Sequence, residues 1–268
     1  MMKIKKIPVY YRYLKEYLRY RDLQSVRDAV RYILFHKGSK KNRILRCRLG
    51  KIHARKNTND FQFANFYYEW NVKRFIVHHH PAYHYFFDIG AGIGEYGMLM
   101  GQKGKKVYLF EPHPGSYKLI SMNLHSNKPV NMEAFNFGLG KENIQTSFLL
   151  HPVNTGASHF IRPGRPIPQG YDVRKLEVRT LDSIAGDWDF DFSKPVLMKI
   201  DVEGMEADVL KGAKEFIRKC RNIMIVVEDK HSGRQAVVKA LAEAGNFDTA
   251  RIDNLNLYAI KNQNQTIT

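Results

Sequence analysis

The chain has 268 residues, of which 44% are apolar and 26% charged, and its formal net charge is +17. That length holds one large domain with an appendage. No window reaches the ~18 apolar residues of a membrane-spanning helix. No apolar signal-peptide core follows the charged N-terminus, and the two distant cysteines, Cys47 and Cys220, argue against a disulfide framework or a cysteine-based zinc site. A reducing cytoplasm is the expected setting. The charge is uneven: 18 Lys and Arg face three acids between residues 1 and 56, against 25 and 23 in the remainder. Basicity therefore belongs to an arm on a nearly neutral body.

Residues 1–43 read as that arm, a pair of amphipathic helices, and residues 44–268 as the main domain. Pro8 suits a first helical turn. Tyr10, Tyr13, Leu14, Tyr17 and Leu18 recur at helical spacing, as do Leu23, Val26, Val30, Ile33 and Leu34. Arg12, Lys15, Arg19, Arg27 and Arg31 lie among them. Such helices can cap the domain, attach residues 1–40 to the inner, anionic face of a membrane, or hold a polyanion such as nucleic acid. A loop at 38–42 leads to a strand pair within Arg43–Ile52. Phe61–Val77 then reads as one aromatic-rich helix, which Asp60 either caps or precedes as a substrate contact. His78, His79, His80 and His84 lack the spacing of a metal site and read as a surface loop.

Tyr85–Ile89 is a short buried strand. It runs into Asp88-Ile89-Gly90-Ala91-Gly92-Ile93-Gly94 and then into a helical pattern. A strand turning through glycine into a helix brings backbone N–H groups against a ligand. Gly92 to Gly97 matches the dinucleotide pattern G-x-G-x-x-G, so NAD fits. The acid ahead of the glycines instead suits S-adenosylmethionine, which has an amino-acid tail and no pyrophosphate. Lys106–Glu111 is a second strand, and Glu111 at its end can take both ribose hydroxyls or cap the next helix. Val130–Phe137 is a third strand, where Asn136 and Phe137 lie level with an adenine ring. Gln145–Leu150 is a further strand, and His151–Asp172 a long Gly- and Pro-containing loop suited to acceptor specificity.

Pro195–Ile200 is a core strand followed by Asp201-Val202-Glu203-Gly204-Met205-Glu206. Lys199, Asp201 and Glu203 alternate, which puts their charges on one face at the strand's carboxyl end, where burial is costly unless they are used or paired. Met205–Lys214 reads as a helix and Asn222–Glu228 as another core strand, with His231 just beyond. Arg234–Ala244 reads as a helix, Phe247–Ile252 with Leu255–Ile260 as an antiparallel hairpin, and 262–268 as a polar tail. Strands alternating with helices argue for a mainly parallel α/β sheet that binds ligands at its carboxyl edge.

The glycine loop, then Phe110-Glu111-Pro112-His113-Pro114, then Thr180-Leu181-Asp182, then Lys199-x-Asp201-x-Glu203-Gly204-x-Glu206 resemble the FkbM family of S-adenosylmethionine-dependent methyltransferases, over about residues 44–232. The family usually has Asn where this chain has Gly92. The resemblance implies a Rossmann-like class I methyltransferase fold, with a seven-stranded, mainly parallel sheet and helices on both faces. It implies methyl transfer to a hydroxyl of a saccharide, such as a cell-surface glycan or lipid-linked sugar, or of a secondary metabolite. Asp88, Gly90, Gly92, Gly94 and Glu111, with Asn136, would bind the cofactor. Asp201, His231 and Lys199 would serve catalysis, and Glu203, Glu228 and Asp60 the acceptor. An aliphatic hydroxyl needs a base: Asp201 has the position, and His231 the ordinary titration range. A divalent cation on Asp201 and Glu203 is another way to activate it. Two alternatives stay open, an RNA ribose methyltransferase using the arm and a non-catalytic membrane- or polyanion-binding relative.

Overall fold

The computed structural model describes residues 7–161 and 166–262. Residues 1–6 of the expected arm, 162–165 of the long loop and 263–268 of the expected tail lie outside the described residues.

The polypeptide opens with α1 (Ile7–Arg19) and α2 (Leu23–Phe35), followed by the hairpin β1 (Arg43–Cys47) and β2 (Gly50–Ala54). The expected aromatic-rich helix is two short ones, α3 (Asp60–Phe63) and α4 (Trp70–His79). The break falls at Glu69, whose φ of 50° puts it in the left-handed region and out of helical register. The histidine run ends α4 and forms the next turn, so it is helical where a loop was expected.

The body alternates β3 (Tyr85–Ile89), α5 (Glu95–Gly101), β4 (Lys106–Phe110), α6 (Pro114–Asn127) and β5 (Met132–Phe135). After an excursion through β6 (Gly138–Leu139), β7 (Ile144–Leu150), β8 (His159–Phe160), β9 (Asp172–Arg179) and α7 (Leu181–Ala185), the chain returns to the sheet. It adds β10 (Val196–Ile200), α8 (Glu206–Gly212), α9 (Lys214–Lys219), β11 (Ile223–Glu228), α10 (Arg234–Ala244), β12 (Phe247–Arg251) and β13 (Asn256–Lys261). The main sheet has seven strands in the order β12-β13-β11-β10-β3-β4-β5, parallel except for β13, which runs antiparallel to both neighbours. Strand order reverses between β3 and β10, and ligands bind such sheets in the crevice above that point.

The central strands read as nearly continuous apolar runs because both faces are covered. Phe87 and Ile89 pack into the core on one face, and Phe86 into the core on the other. Full burial of each such side chain contributes about 1.5–3 kcal/mol. Asp88 and Lys199, paired in register across β3 and β10, interrupt these runs one step before the strands end.

The small sheet, ordered β6-β9-β7-β8, was not expected from sequence beyond β7. In β9 only Leu176 and Val178 alternate inward among charged residues, so its pattern is legible only once β7 is beside it. This sheet carries the loop after Leu150 over the carboxyl edge of the main sheet.

Candidate active site

A cleft of about 1050 Å³ opens above the β3–β10 crossover. The glycine loop forms its floor. Gly90 has φ +81°, and a Cβ there would fall 1.9 Å from the Asp201 carbonyl oxygen, so only glycine lets the loop lie against the tip of β10. Gly92, at φ +57°, lines the cleft, and a Cβ there would meet only the Glu95 carboxylate, 3.9 Å away. Its N–H donates to Glu111 Oε2 at 2.7 Å, and the His113 N–H donates to Glu111 Oε1 at 2.8 Å. Burial pushes the Glu111 carboxyl up to about 7, against the pull of these two N–H groups. Glu111 also lines a narrow side cavity with Pro112, Leu139, Phe148 and Phe160. A glycine loop, an acid positioned by backbone donors and an apolar slot beside it fit a nucleoside with a ribose on Glu111 and a base in the slot. They are the residues that would hold S-adenosylmethionine.

Three residues expected at the cofactor sit elsewhere. Asp88 is buried and does not line the cleft; one oxygen accepts from the Gly97 N–H at 3.1 Å, bracing the start of α5. Burial raises its carboxyl to about 6. Gly94 caps α5. Asn136 is exposed and donates to the carbonyl oxygens of Glu111 and Pro112, at 2.9 and 3.3 Å, so it holds the backbone at Glu111.

The tips of β10 and β11 and the turns after them bring Lys199, Asp201, Glu203, Glu228 and His231 into the same cleft. Lys199 Nζ donates to Asp201 Oδ2 at 3.0 Å and lies 4.7 Å from the centre of the Tyr96 ring. Burial works against the Lys199 charge, but Asp201, Glu69 and Asp88 outweigh it and hold the ammonium above its usual range. Glu203 has φ 53° and presents Oε2 3.0 Å from His231 Nε2. Burial, then the Asp201 charge, pushes its carboxyl up to about 7. Burial and the charges of Asp201 and Glu203 raise Glu228 as well. One ligand atom from each of Glu203, Glu228 and His231 lies within 4.8 Å of the others, so these are the described residues that could hold a metal ion.

Asp60 is not brought to this cluster. It is fully buried, and its two oxygens accept from Arg55 Nη2 and Nε, each at 2.8 Å. Arg55 also donates to Thr155 Oγ1 at 3.2 Å, and the Asn59 N–H to the Val153 carbonyl oxygen at 3.1 Å. The segment around α3 thus fixes the long loop whose Thr155 and Gly156 wall the cleft.

Sequence reasoning missed Glu69 and Tyr96, which line the cleft and share a 2.9 Å hydrogen bond. It also missed Lys73, fully buried with its ammonium 5.0 Å from the Tyr96 ring and lowered by burial. No spacing flags them, since they meet only when α4 packs on α5. Glu206, at the end of the strand-tip motif, is structural: it accepts from the Val202 and Gly204 N–H groups at 3.2 and 2.9 Å and from the Ser232 hydroxyl, closing the turn that presents Glu203. Asp182 likewise accepts from the Glu215 and Phe216 N–H groups, at 3.0 and 2.7 Å, capping α9.

The sequence profile of the methyltransferase FkbM domain matches residues 88–255. Among curated proteins, the hexuronic acid methyltransferase AglP of Haloferax volcanii is 25% identical over 181 residues, covering 66% of this chain and 69% of that protein. Methyltransferase 1 of Beauveria bassiana is 26% identical over 180 residues, covering 61% and 72% respectively. Among solved structures, the FkbM methyltransferase of Methylobacillus flagellatus is similar with a TM-score of 0.45 and 22% identity, over 66% of this chain. The present chain covers 44% of that structure, less than half its length. The profile spans most of the sheet and both halves of the cleft, and the chain belongs to the FkbM family of methyltransferases.

Proposed function

We propose that this protein transfers a methyl group from S-adenosylmethionine to a hydroxyl oxygen of a saccharide. One observation carries the reading. The Asp201 carboxylate, held by Lys199, stands at the tip of the strand that touches the glycine loop, so cofactor cradle and acidic cluster share one cleft. The bound cofactor would supply an activated methyl group on a sulfonium.

The protein's own residues do the rest. Gly90 and Gly92 present backbone to the nucleoside, and Glu111 takes its ribose hydroxyls. Asp201 accepts the acceptor hydroxyl's proton, and Lys199 fixes the direction of that carboxylate. Such base assistance contributes about 10²–10⁴-fold. Glu203, Glu228 and His231 bind neighbouring hydroxyls, while Tyr68, Tyr171 and Phe63 offer ring faces to the C–H surface of a sugar. The saccharide class is further supported by the hexuronic acid named for the Haloferax volcanii relative.

A second reading has its own support. The convergence of Glu203, Glu228 and His231 suits a divalent cation that would lower the hydroxyl's pKa in place of a side-chain base.

The test is transfer of radiolabelled methyl from the donor to a panel of hexuronic acid and neutral hexose glycosides. Label in a glycoside, reduced at least about 100-fold by Asp201→Asn, is expected. Absence of S-adenosylhomocysteine binding by calorimetry overturns the reading. Activity that vanishes with EDTA and returns with Mg²⁺ or Mn²⁺ selects the cation version.

A further inference from the structure

The two N-terminal helices pack on the body by one face. Tyr17 is buried and its hydroxyl donates to the Phe61 carbonyl oxygen at 3.2 Å. Asn65 Nδ2 donates to the Tyr13 carbonyl oxygen at 3.2 Å, and Tyr13 itself lines the cleft.

The opposite face has an unusual composition. On α1, Tyr11, Leu14 and Leu18 recur at helical spacing on exposed surface. On α2, Leu23, Val30 and Leu34 do the same, with Phe35 beside them. Exposure reaches 67% at Tyr11, 57% at Leu23, 63% at Leu34 and 64% at Phe35. Single exposed apolar residues need no explanation, but stripes along two consecutive helices do.

Arg12, Lys15, Arg19 and Arg27 are exposed among these residues. The three acids of residues 1–56 do not offset them, because each is drawn into an internal pair. Glu16 pairs with Arg48 at 3.2 Å. Asp22 and Asp28 both pair with Arg43, at 2.7 and 3.1 Å. Asp28 also accepts from the Ser39 hydroxyl. The arm thus faces outward with aliphatic side chains and cations and without an unpaired carboxylate among the described residues.

We infer that this face is a docking surface for an anionic lipid bilayer, lying in the interface with its leucines and aromatics among the headgroups and its Arg and Lys on lipid phosphates. Both components are needed for that assignment. A second copy of the chain would bring cations against cations. A nucleic acid or a free acidic glycan would use the cations but leave the aliphatic stripes in water. An anionic bilayer satisfies both, with each basic residue near its surface contributing about a fivefold gain in affinity. No helix among the described residues is long and apolar enough to cross a membrane, and a surface-lying pair requires none.

The test uses the full chain and sedimentation with vesicles of phosphatidylglycerol and phosphatidylcholine, alongside vesicles of phosphatidylcholine alone. Binding to the anionic vesicles, weakened by salt, is expected. A charge variant (Arg12→Glu, Lys15→Glu, Arg19→Glu, Arg27→Glu) loses about 100-fold or more. An apolar variant (Leu18→Ser, Leu23→Ser, Leu34→Ser, Phe35→Ser) that retains every charge loses at least about tenfold. Circular dichroism melts confirm that each variant is folded; one that is not is replaced by its individual substitutions. The inference is overturned if the wild type does not bind the anionic vesicles, or if the apolar variant binds them like wild type. It is also overturned if sedimentation without lipid shows a dimer that the apolar variant dissociates.

Discussion

The backbone N–H of Gly92 donates to Glu111 Oε2 at 2.7 Å, tying the glycine loop to the acid at the end of the adjacent strand. The loop's shape and the Glu111 carboxylate are therefore one unit. Glu111→Ala is expected to weaken S-adenosylhomocysteine binding by about 100-fold in calorimetry, the loss of two charge-assisted hydrogen bonds. Because burial holds the Glu111 carboxyl at about 7, wild-type affinity should fall as pH drops below that value, where the group becomes protonated and gives up acceptor capacity. Glu111→Gln should remove that pH dependence. An Ala variant that binds as wild type would separate Glu111 from the ribose.

Gly90 carries the contact between the glycine loop and the tip of β10. Gly90→Ala combines a left-handed backbone position with overlap on the Asp201 carbonyl oxygen. The cost is about 3 kcal/mol or more. For a chain of this size that is a fall of at least about 6 °C in melting temperature. Differential scanning calorimetry measures it; a drop below 2 °C or so would mean that the loop stands away from the strand.

Glu203 supplies a pH test of the acidic cluster. Its carboxyl rises from the ordinary 4.5 to about 7 in the folded protein. Between those values the folded state holds a proton that the unfolded state has released. Stability is therefore lost as pH rises through this window, the reverse of a salt-bridged carboxylate. Glu203→Gln should melt like wild type at pH 5 and at a higher temperature at pH 8. A difference independent of pH would show that the carboxylate is not destabilised by its neighbours.

Asp60 separates architecture from acceptor binding. With both oxygens on Arg55 and no exposure, Asp60→Ala leaves a guanidinium without its partner, at a cost of about 3–5 kcal/mol. Urea unfolding should show that loss, and any rise in acceptor KM should come only together with it, through the loop that Arg55 and Thr155 hold. An acceptor KM raised tenfold without loss of stability would return Asp60 to the acceptor site.

The core strands were legible because a strand covered on both faces must be almost wholly apolar, and β3, β10 and β11 are so up to Asp88, Lys199 and Glu228 near their carboxyl ends. The helix at Arg234–Ala244 and the closing hairpin were legible from periodicity and turn residues. The aromatic stretch after Asp60 was not. Its composition suits one helix, and only packing of Glu69 against Tyr96 explains why the chain turns there.

The sequence by itself determined the strand tips, the glycine bend and the acids that follow them, because a sharp turn needs positive φ and a charge at a buried strand end needs a purpose. Tertiary structure decided which of those acids face the cleft and which are tied into the scaffold. Asp88 and Glu206 each spend one oxygen and Asp182 both on backbone N–H groups, and Asp60 spends its own on a guanidinium, while Asp201, Glu203 and Glu228 face the cleft. A carboxylate's role depends on what occupies its lone pairs, and those partners come from segments far apart in the chain.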